Sequence, residues 1–450
     1  MQLPAAAGAS AKAKVAANDA APPLFLLIGD QGCKPGTNDD ERMEKVSAAL
    51  AGVAAKVKPN HIVGLGDTIY DSGAEGKFDL IKSRWYDKYP GAHEALKLPW
   101  HMVQGNHDWR SDPMTQVEFT TSSDNEGGFW EYPALWYKKS MAGAGVTVDI
   151  FYIDTMLWTG SAEAMTRLGT KYSKSQTEQE EWLEAELKAS VADWKVVIGH
   201  HVMYSDSTHH SGAFLDMRKV LAMIDTYGVA LFFNGHNHNQ EVVVDDAGHW
   251  YITSGNGCKS TSKQYCSPYS IGQACQLRLP GPDSKKFFAH DGGFASIKFS
   301  SKSEAELVLY GDSSSSILYT AKIPNVEKAA VARGSVREAQ VAPTAEQFLI
   351  AMNQTCNSAL MKQVSECCER DCCKSVPDMS VGQTCADYCS LSGLACQAAL
   401  APAPEGDEAC GSGDNLGCDL ALGDANGDLV CHCSPVVAEQ QSAAAQPPTP

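Results

Sequence analysis

A chain of 450 residues, 44% hydrophobic and 8% aromatic, is long enough for one large core and a smaller companion module. Its 54 acidic against 36 basic residues leave a net charge of −18, which argues against nucleic acid or an anionic membrane as partner, because both attract basic patches. No uninterrupted apolar run approaches the length needed to span a bilayer.

Residues 1–23 are Ala-rich with internal lysines and no sustained apolar stretch, and read as a flexible lead-in. Residues 24–28 form an apolar run that stops at Gly29-Asp30, the pattern of a buried strand. Residues 39–57 open with acids and continue with apolar spacing near 3.6, which predicts a helix. Strands follow at 62–65, ending in Gly66-Asp67, at 102–103, ending in Gly105-Asn106-His107, and at 148–153. Residues 175–190 read as a helix capped by Ser175, and 196–198 as a strand leading to Gly199-His200-His201. A helix over 213–227 stops at Gly228 and feeds the run 230–233, which ends at Asn234-Gly235 before His236 and His238. Short alternating runs at 249–255, 294–300, 306–311 and 316–323 suit antiparallel strands. Alternating strands and helices followed by strands predict a layered α/β sandwich over 24–324.

A polar, Ala-rich linker spans 325–346, a Cys-rich module 347–434 and a disordered tail 435–450. Four of the sixteen cysteines, Cys33, Cys258, Cys266 and Cys275, precede this module, and twelve lie between Cys356 and Cys433. A dense, even set of cysteines implies disulfides and an oxidising compartment, and the acceptor triplet Asn353-Gln354-Thr355 agrees with a secreted glycoprotein. The cysteine spacing does not match a zinc ribbon. The stretch beginning at Asp424 lacks the glycine and glutamate of a calcium loop, having Leu429 and Pro435 there. The module reads as a stapled interaction domain for a partner the sequence does not name.

Five apolar runs thus end in glycine followed by polar residues: "GDQG" with Asp30, "GDTIYD" with Asp67 and Tyr70, "GNHD" with Asn106 and His107, "GHHVMYS" with His200, and "GHNH" with His236 and His238. Singly, each is an ordinary turn or cap. Together they place carboxylate, phenol, amide and imidazole at strand ends, where ligands of open α/β sheets gather. Asp30, Asp67, Tyr70, Asn106, His200, His236 and His238 are too many donors for one tetrahedral ion. They suit two metals sharing a carboxylate, with hard-to-borderline ligands and no thiolate.

The order of these motifs resembles the calcineurin-like metallophosphoesterases, and within them the purple acid phosphatases. Most metallophosphoesterases carry a histidine two residues after the first Asp. Here that position is Gly32, and Tyr70 follows Asp67 by three residues, as in the purple enzymes. "KLPWHMVQGNHDW", "YGVALFFNGHNHNQE", "YITSGNG" and "DGGFASIKFS" extend the likeness to the small, tartrate-resistant branch over about residues 23–324. The resemblance implies a four-layer α/β-β/α sandwich with mixed sheets. It implies that Asp30, Tyr70 and His238 bind Fe(III), that Asp67 bridges, and that Asn106, His200 and His236 bind Fe(II), Zn(II) or Mn(II). It further implies hydrolysis of phosphate monoesters by a metal-held hydroxide. His209 would be the general acid, His107 would hold phosphate, and Asn106 and His210 would assist at the substrate.

His201 reads as an incidental polar residue, Gln31 as a neighbour of the ligands only, and 160–178, with Arg167, Lys171 and Lys174, as a surface loop. The expected molecule is a secreted or vacuolar/lysosomal monomer acting on phosphorylated small molecules or phosphoproteins. Two rivals remain. A phosphodiesterase of the same fold is disfavoured by Tyr70 with Gly32. A binding protein built on a lapsed phosphatase domain is disfavoured because all seven ligand positions are filled.

Overall fold

The computed structural model describes residues 21–159, 175–207, 213, 216–260, 279–280, 284–313 and 316–326, and the backbone of 394–400 and 430–435. Two seven-stranded mixed sheets dominate it. The first contains β1 (Leu24–Ile28), β2 (His61–Leu65), β3 (Trp100–Val103) and β4 (Trp130–Glu131), all parallel, extended at the β1 edge by β12 (Phe294–Lys298), β13 (Glu304–Tyr310) and β14 (Ile317–Pro324), all antiparallel. In the second, β6 (Val146–Tyr152), β7 (Trp194–Ile198), β8 (Leu231–Asn234) and β10 (Trp250–Ser254) run parallel. Antiparallel β5 (Tyr137–Gly143) flanks β6, while β9 (Gln240–Val244) and β11 (Lys285–Ala289) extend the sheet beyond β10.

The layering follows from the period-2 alternation of side chains along each strand. In β6, β7, β8 and β10, Ile150, Tyr152, Val196, Ile198, Leu231, Phe233 and Ile252 join the core shared with the first sheet. Their neighbours Phe151, Val197, Phe232 and Tyr251 join a second core with Leu183 and Leu187 of the helix Ser175–Ala189 and with Val220 and Ile224 of the helix Arg218–Thr226. The first sheet has its own helix, α1 (Asn38–Val57), which buries Met43, Val46, Leu50 and Val53 at helical spacing. Thr37 caps α1 by accepting from the Asp40 N–H at 3.3 Å, and Asp39, Asp40 and Glu41 face the positive end of its dipole. The α/β metallophosphoesterase sandwich expected from the resemblance is therefore the fold observed.

Several strands escaped the sequence reading. β5, β9 and β11 carry polar residues or lie behind turns, and they gain their place by pairing with a neighbour that is already set. Ser175 is the first residue of its helix and is buried, rather than preceding the helix as a cap.

By internal contacts the chain divides into residues 1–160 with 164–340, and 161–163 with 341–450. In the second unit the backbone of Leu394–Leu400 pairs antiparallel with that of Val430–Pro435. The proposed glycosylation triplet and most of the Cys-rich module lie outside the described residues.

Trp194 ties the sheets together. It is 1% exposed, its indole N–H donates to the Ser301 carbonyl at 2.8 Å, and its ring lies 5.3 Å from that of Phe299. Trp194→Ala should cost roughly 3–5 kcal/mol in chemical denaturation, because it opens a large cavity between the sheets. Val191→Ser, at a side chain 98% exposed, should stay within about 0.5 kcal/mol.

Candidate metal centre

Every one of the five polar loops leaves the carboxyl end of a parallel strand: Asp30 after β1, Asp67 after β2, Asn106 after β3, His200 after β7, and His236 with His238 after β8. Parallel strands present these ends on one side, so the loops converge. Asp30, Asp67 and His236 have φ of 55°, 51° and 68°, in the left-handed region that non-glycine residues seldom adopt. The loops also approach closely: a Cβ on Gly105 would fall 2.3 Å from Asp67 Oδ1, and one on Gly235 2.6 Å from Asp30 Oδ2.

The seven expected donors form two groups around Asp67. In one, the Tyr70 hydroxyl donates to Asp30 Oδ1 at 2.8 Å and lies 3.2 Å from His238 Nε2, which is 3.6 Å from the same Asp30 oxygen. In the other, Asn106 Oδ1, His200 Nε2 and His236 Nδ1 lie 3.0–3.2 Å from one another. Asp67 Oδ2 is 3.6 Å from His200 Nε2, and Asp67 also acts on the Tyr70 hydroxyl. One ligand atom each from Asp30, Asp67 and His200 fits within 4.8 Å.

Backbone groups aim these atoms. His200 Nδ1 is 2.8 Å from the Leu65 carbonyl, which can only accept, so Nδ1 carries a proton and Nε2 is the nitrogen turned toward the other candidate ligands. The N–H of His236 donates to Asp30 Oδ2, and that of His107 to Asp67 Oδ1, both at 2.8 Å. The buried carboxyl of Asp108 accepts from the N–H groups of Ile69 at 3.1 Å and Gly105 at 3.0 Å, joining the Asp67 and Asn106 loops.

The electrostatics suit cations. Burial, reinforced by Asp30 and Asp67, drives the Tyr70 hydroxyl well above the ordinary range, so this phenol ionises only against a strong local positive charge. Burial opposes charge on His200, yet Asp67 and Asp30 together push it up to about 9. Burial likewise opposes ionisation of Asp67, but His200 and His107 hold it below the usual carboxylate range. A bound metal ion would take over the role of the shared protons. The donor set fits a pair of such ions.

Gly32 has a reason here. A Cβ at this position would lie 1.4 Å from the Thr68 carbonyl oxygen, and the Tyr70 N–H donates to the Gly32 carbonyl at 3.1 Å. The first loop gives up its side chain so that the loop carrying Tyr70 can approach. Gln31 touches Thr68 at 3.3 Å and no ligand group among its described contacts, in line with its expected supporting place.

His201 departs from expectation. It is buried, its Nδ1 lies 2.7 Å from Thr155 Oγ1, and its ring packs 4.4 Å from that of His236. Its burial depends on Thr155, 46 positions away, which no local pattern reveals. Nothing local in the sequence distinguishes Asp108 and Asp154 either. Burial lifts both to about 7, Asp67 adding to the effect on Asp108. His107 is half-buried beside Tyr70, with ring centroids 4.4 Å apart. His209, His210 and most of the 160–178 loop lie outside the described residues.

An open pair of mixed sheets with metal-type ligands at the carboxyl ends of its parallel strands is the architecture of the metallophosphoesterases. Comparison with known proteins narrows this. The calcineurin-like phosphoesterase profile matches residues 23–240, which include all seven candidate donors, and that stretch is similar to the family's domain. Human tartrate-resistant acid phosphatase type 5 is 25% identical over 319 residues, covering 68% of this chain and 93% of the relative. Purple acid phosphatase 4 of Arabidopsis thaliana is 28% identical over 314 residues, covering 65% and 81%. Among solved structures, GAP50, described as the anchor in the inner membrane complex of Plasmodium, aligns with a TM-score of 0.56 over 68% of this chain and 89% of its own. At 18% identity it is a likeness of fold alone. No helix among the described residues is long and apolar enough to cross a membrane.

Beyond His238, the fully buried Glu241 braces the His200 loop. Its carboxyl accepts from Ser205 Oγ and from the Asp206 N–H, both at 2.7 Å. Burial pushes its pKa from 4.5 up to about 7. The folded protein therefore keeps a proton that the unfolded chain releases, so this contribution to stability is full below about pH 4.5 and is lost as pH rises through about 7. Its size is on the order of 3 kcal/mol. Thermal melts at about pH 5 and pH 7 should differ less in Glu241→Gln than in the wild type, and an undiminished difference would refute this assignment.

Proposed function

We propose that this chain is an acid phosphatase that hydrolyses phosphate monoesters at a dinuclear Fe(III)–M(II) centre, with M iron, zinc or manganese. The observation that carries the reading is the two-group arrangement of donors with Asp67 between them. Asp30, Tyr70 and His238 would hold the ferric ion, Asn106, His200 and His236 the divalent one, and Asp67 both. When bound, the metals supply positive charge for phosphoryl oxygens and Lewis acidity that lowers the pKa of water.

The protein's own residues supply positioning and protons. His107 Nδ1 lies 2.9 Å from the Asp71 carbonyl, so that nitrogen carries a proton, and Nε2 would donate to a phosphoryl oxygen in the charged imidazolium. The same residue's N–H steadies Asp67 at 2.8 Å, linking substrate contact to ligand geometry. Asn106, half-buried, offers its amide at the same mouth. His209 would give the leaving alcohol its proton, with His210 beside it at the substrate. A histidine acid must be charged to act, which favours acidic conditions. Phosphorylated small molecules or phosphoproteins in a secretory, vacuolar or lysosomal compartment are the substrates and setting this chemistry suits.

A visible spectrum with metal analysis tests the reading. The wild type should show a phenolate-to-iron(III) band, and Tyr70→Phe should abolish it while retaining the fold. A colourless, iron-free wild type that still cleaves phosphodiesters would overturn the proposal. Asp67→Asn should release both metals and cost more activity than the roughly 100-fold that outer partners of a metal site can cost. Full retention of both ions would mean the shared carboxylate is misassigned.

A further inference from the structure

Lys259 is a charged residue that neither the motifs nor the family resemblance draws into the site. Its ammonium lies 4.1 Å from the centroid of the Tyr70 ring and 3.8 Å from Asp71 Oδ1, and its side chain is only 26% exposed. A cation over an aromatic face is attracted by the ring's electron density and lowers the energy of those electrons. Asp71, at 66% side-chain exposure, pairs with the lysine through solvent-screened space and offsets little of its charge. The ring of Tyr70 is buried, so its contact with the ammonium is screened less.

The position of Lys259 is fixed by the residue before it. Cys258 is disulfide-bonded to Cys33, 225 positions earlier, with the two Cα atoms 6.0 Å apart. The Cys258 N–H donates to the carbonyl of Asp30 at 3.0 Å, and its own carbonyl accepts from Arg42 Nη1 at 3.0 Å. The Gly257 N–H donates to the Gly29 carbonyl at 3.0 Å. The lysine therefore rises from a backbone sewn to the Asp30 loop. A free surface lysine would sample many rotamers, whereas this one is anchored at its root.

We propose that Lys259 sets how strongly Tyr70 donates electrons to its metal, and that the Cys33–Cys258 disulfide holds it there. This rests on the ferric reading above. By stabilising the ring electrons, the ammonium widens the energy gap between the phenolate and the ferric ion and so moves the charge-transfer band to shorter wavelength. Its removal should reverse that shift.

The test uses the full-length holoprotein and reads the visible spectrum with iron content, not turnover. Lys259→Met keeps the apolar stem and removes the charge, so loss of packing alone is not being measured. Its band should move to longer wavelength at unchanged iron content. Lys259→Arg, which keeps a cation for the ring, should stay near the wild-type position. A Cys33→Ser/Cys258→Ser double variant that folds should shift in the same direction as Lys259→Met. An unmoved band in Lys259→Met at full iron content would overturn this inference while leaving the ferric reading intact. A colourless, iron-free wild type would overturn both.

Discussion

The structure depends on keeping electron-rich atoms together that would otherwise move apart. Two carboxylates, a phenol, an amide oxygen and three imidazoles meet within a few ångströms, at separations from 2.8 to 3.6 Å. Side chains alone would not hold such a cluster. Three of the ligand residues sit at positive φ, a conformation costing of order 1 kcal/mol or more each. Main-chain N–H groups from opposing loops then clamp Asp30 and Asp67. The parallel strands provide the rigid base, since a loop leaving a buried strand end has little freedom to retreat. Strain and repulsion here are offset by the two cores below, and a cation binding the cluster would relieve the repulsion directly.

Much of this was legible in the sequence. Five of the seven candidate ligands follow a glycine at the end of an apolar run, and the two regularities reinforce each other because a buried strand must stop before its chain can turn. The three longest helices among the described residues and most strands are legible from the same apolar periodicity. What stayed hidden depends on pairs remote in sequence. Cys33 and Cys258 are 225 positions apart, and a single cysteine in a loop gives no hint of its partner. His201 reads as an incidental polar residue beside His200, yet Thr155 holds it against the ring of His236. Lys259 carries no motif at all and gains meaning only from the ring it covers.

The acidic character of the chain is divided between surface and interior. A net charge of −18 gives the chain an overall negative field. Near the candidate centre the balance differs: His107, Arg110 and Lys259 gather around Asp71, the first two on its carbonyl and the third on its carboxylate. Inside, Glu241 and Asp154 are pushed up to about 7 by burial and favour the folded state when protonated. Low pH thus suits both these two buried acids and a histidine acid at the substrate.

The exchange of a side chain at residue 32 for one at residue 70 explains how a single fold can host a different metal environment. A histidine at position 32 would need the space that the Thr68 carbonyl occupies, 1.4 Å from where its Cβ would begin. With glycine there, the second loop moves in, the Tyr70 N–H finds the Gly32 carbonyl, and the phenol reaches Asp30. Neither change works alone. Tyrosine without glycine would be held off by the clash, and glycine without tyrosine would leave a donor missing. Because the phenol resists ionisation in its buried, acidic surroundings, only a strongly charged ion can claim it as an anion. On the ferric reading proposed above, the preference for such an ion would begin in backbone proximity two residues beyond Asp30.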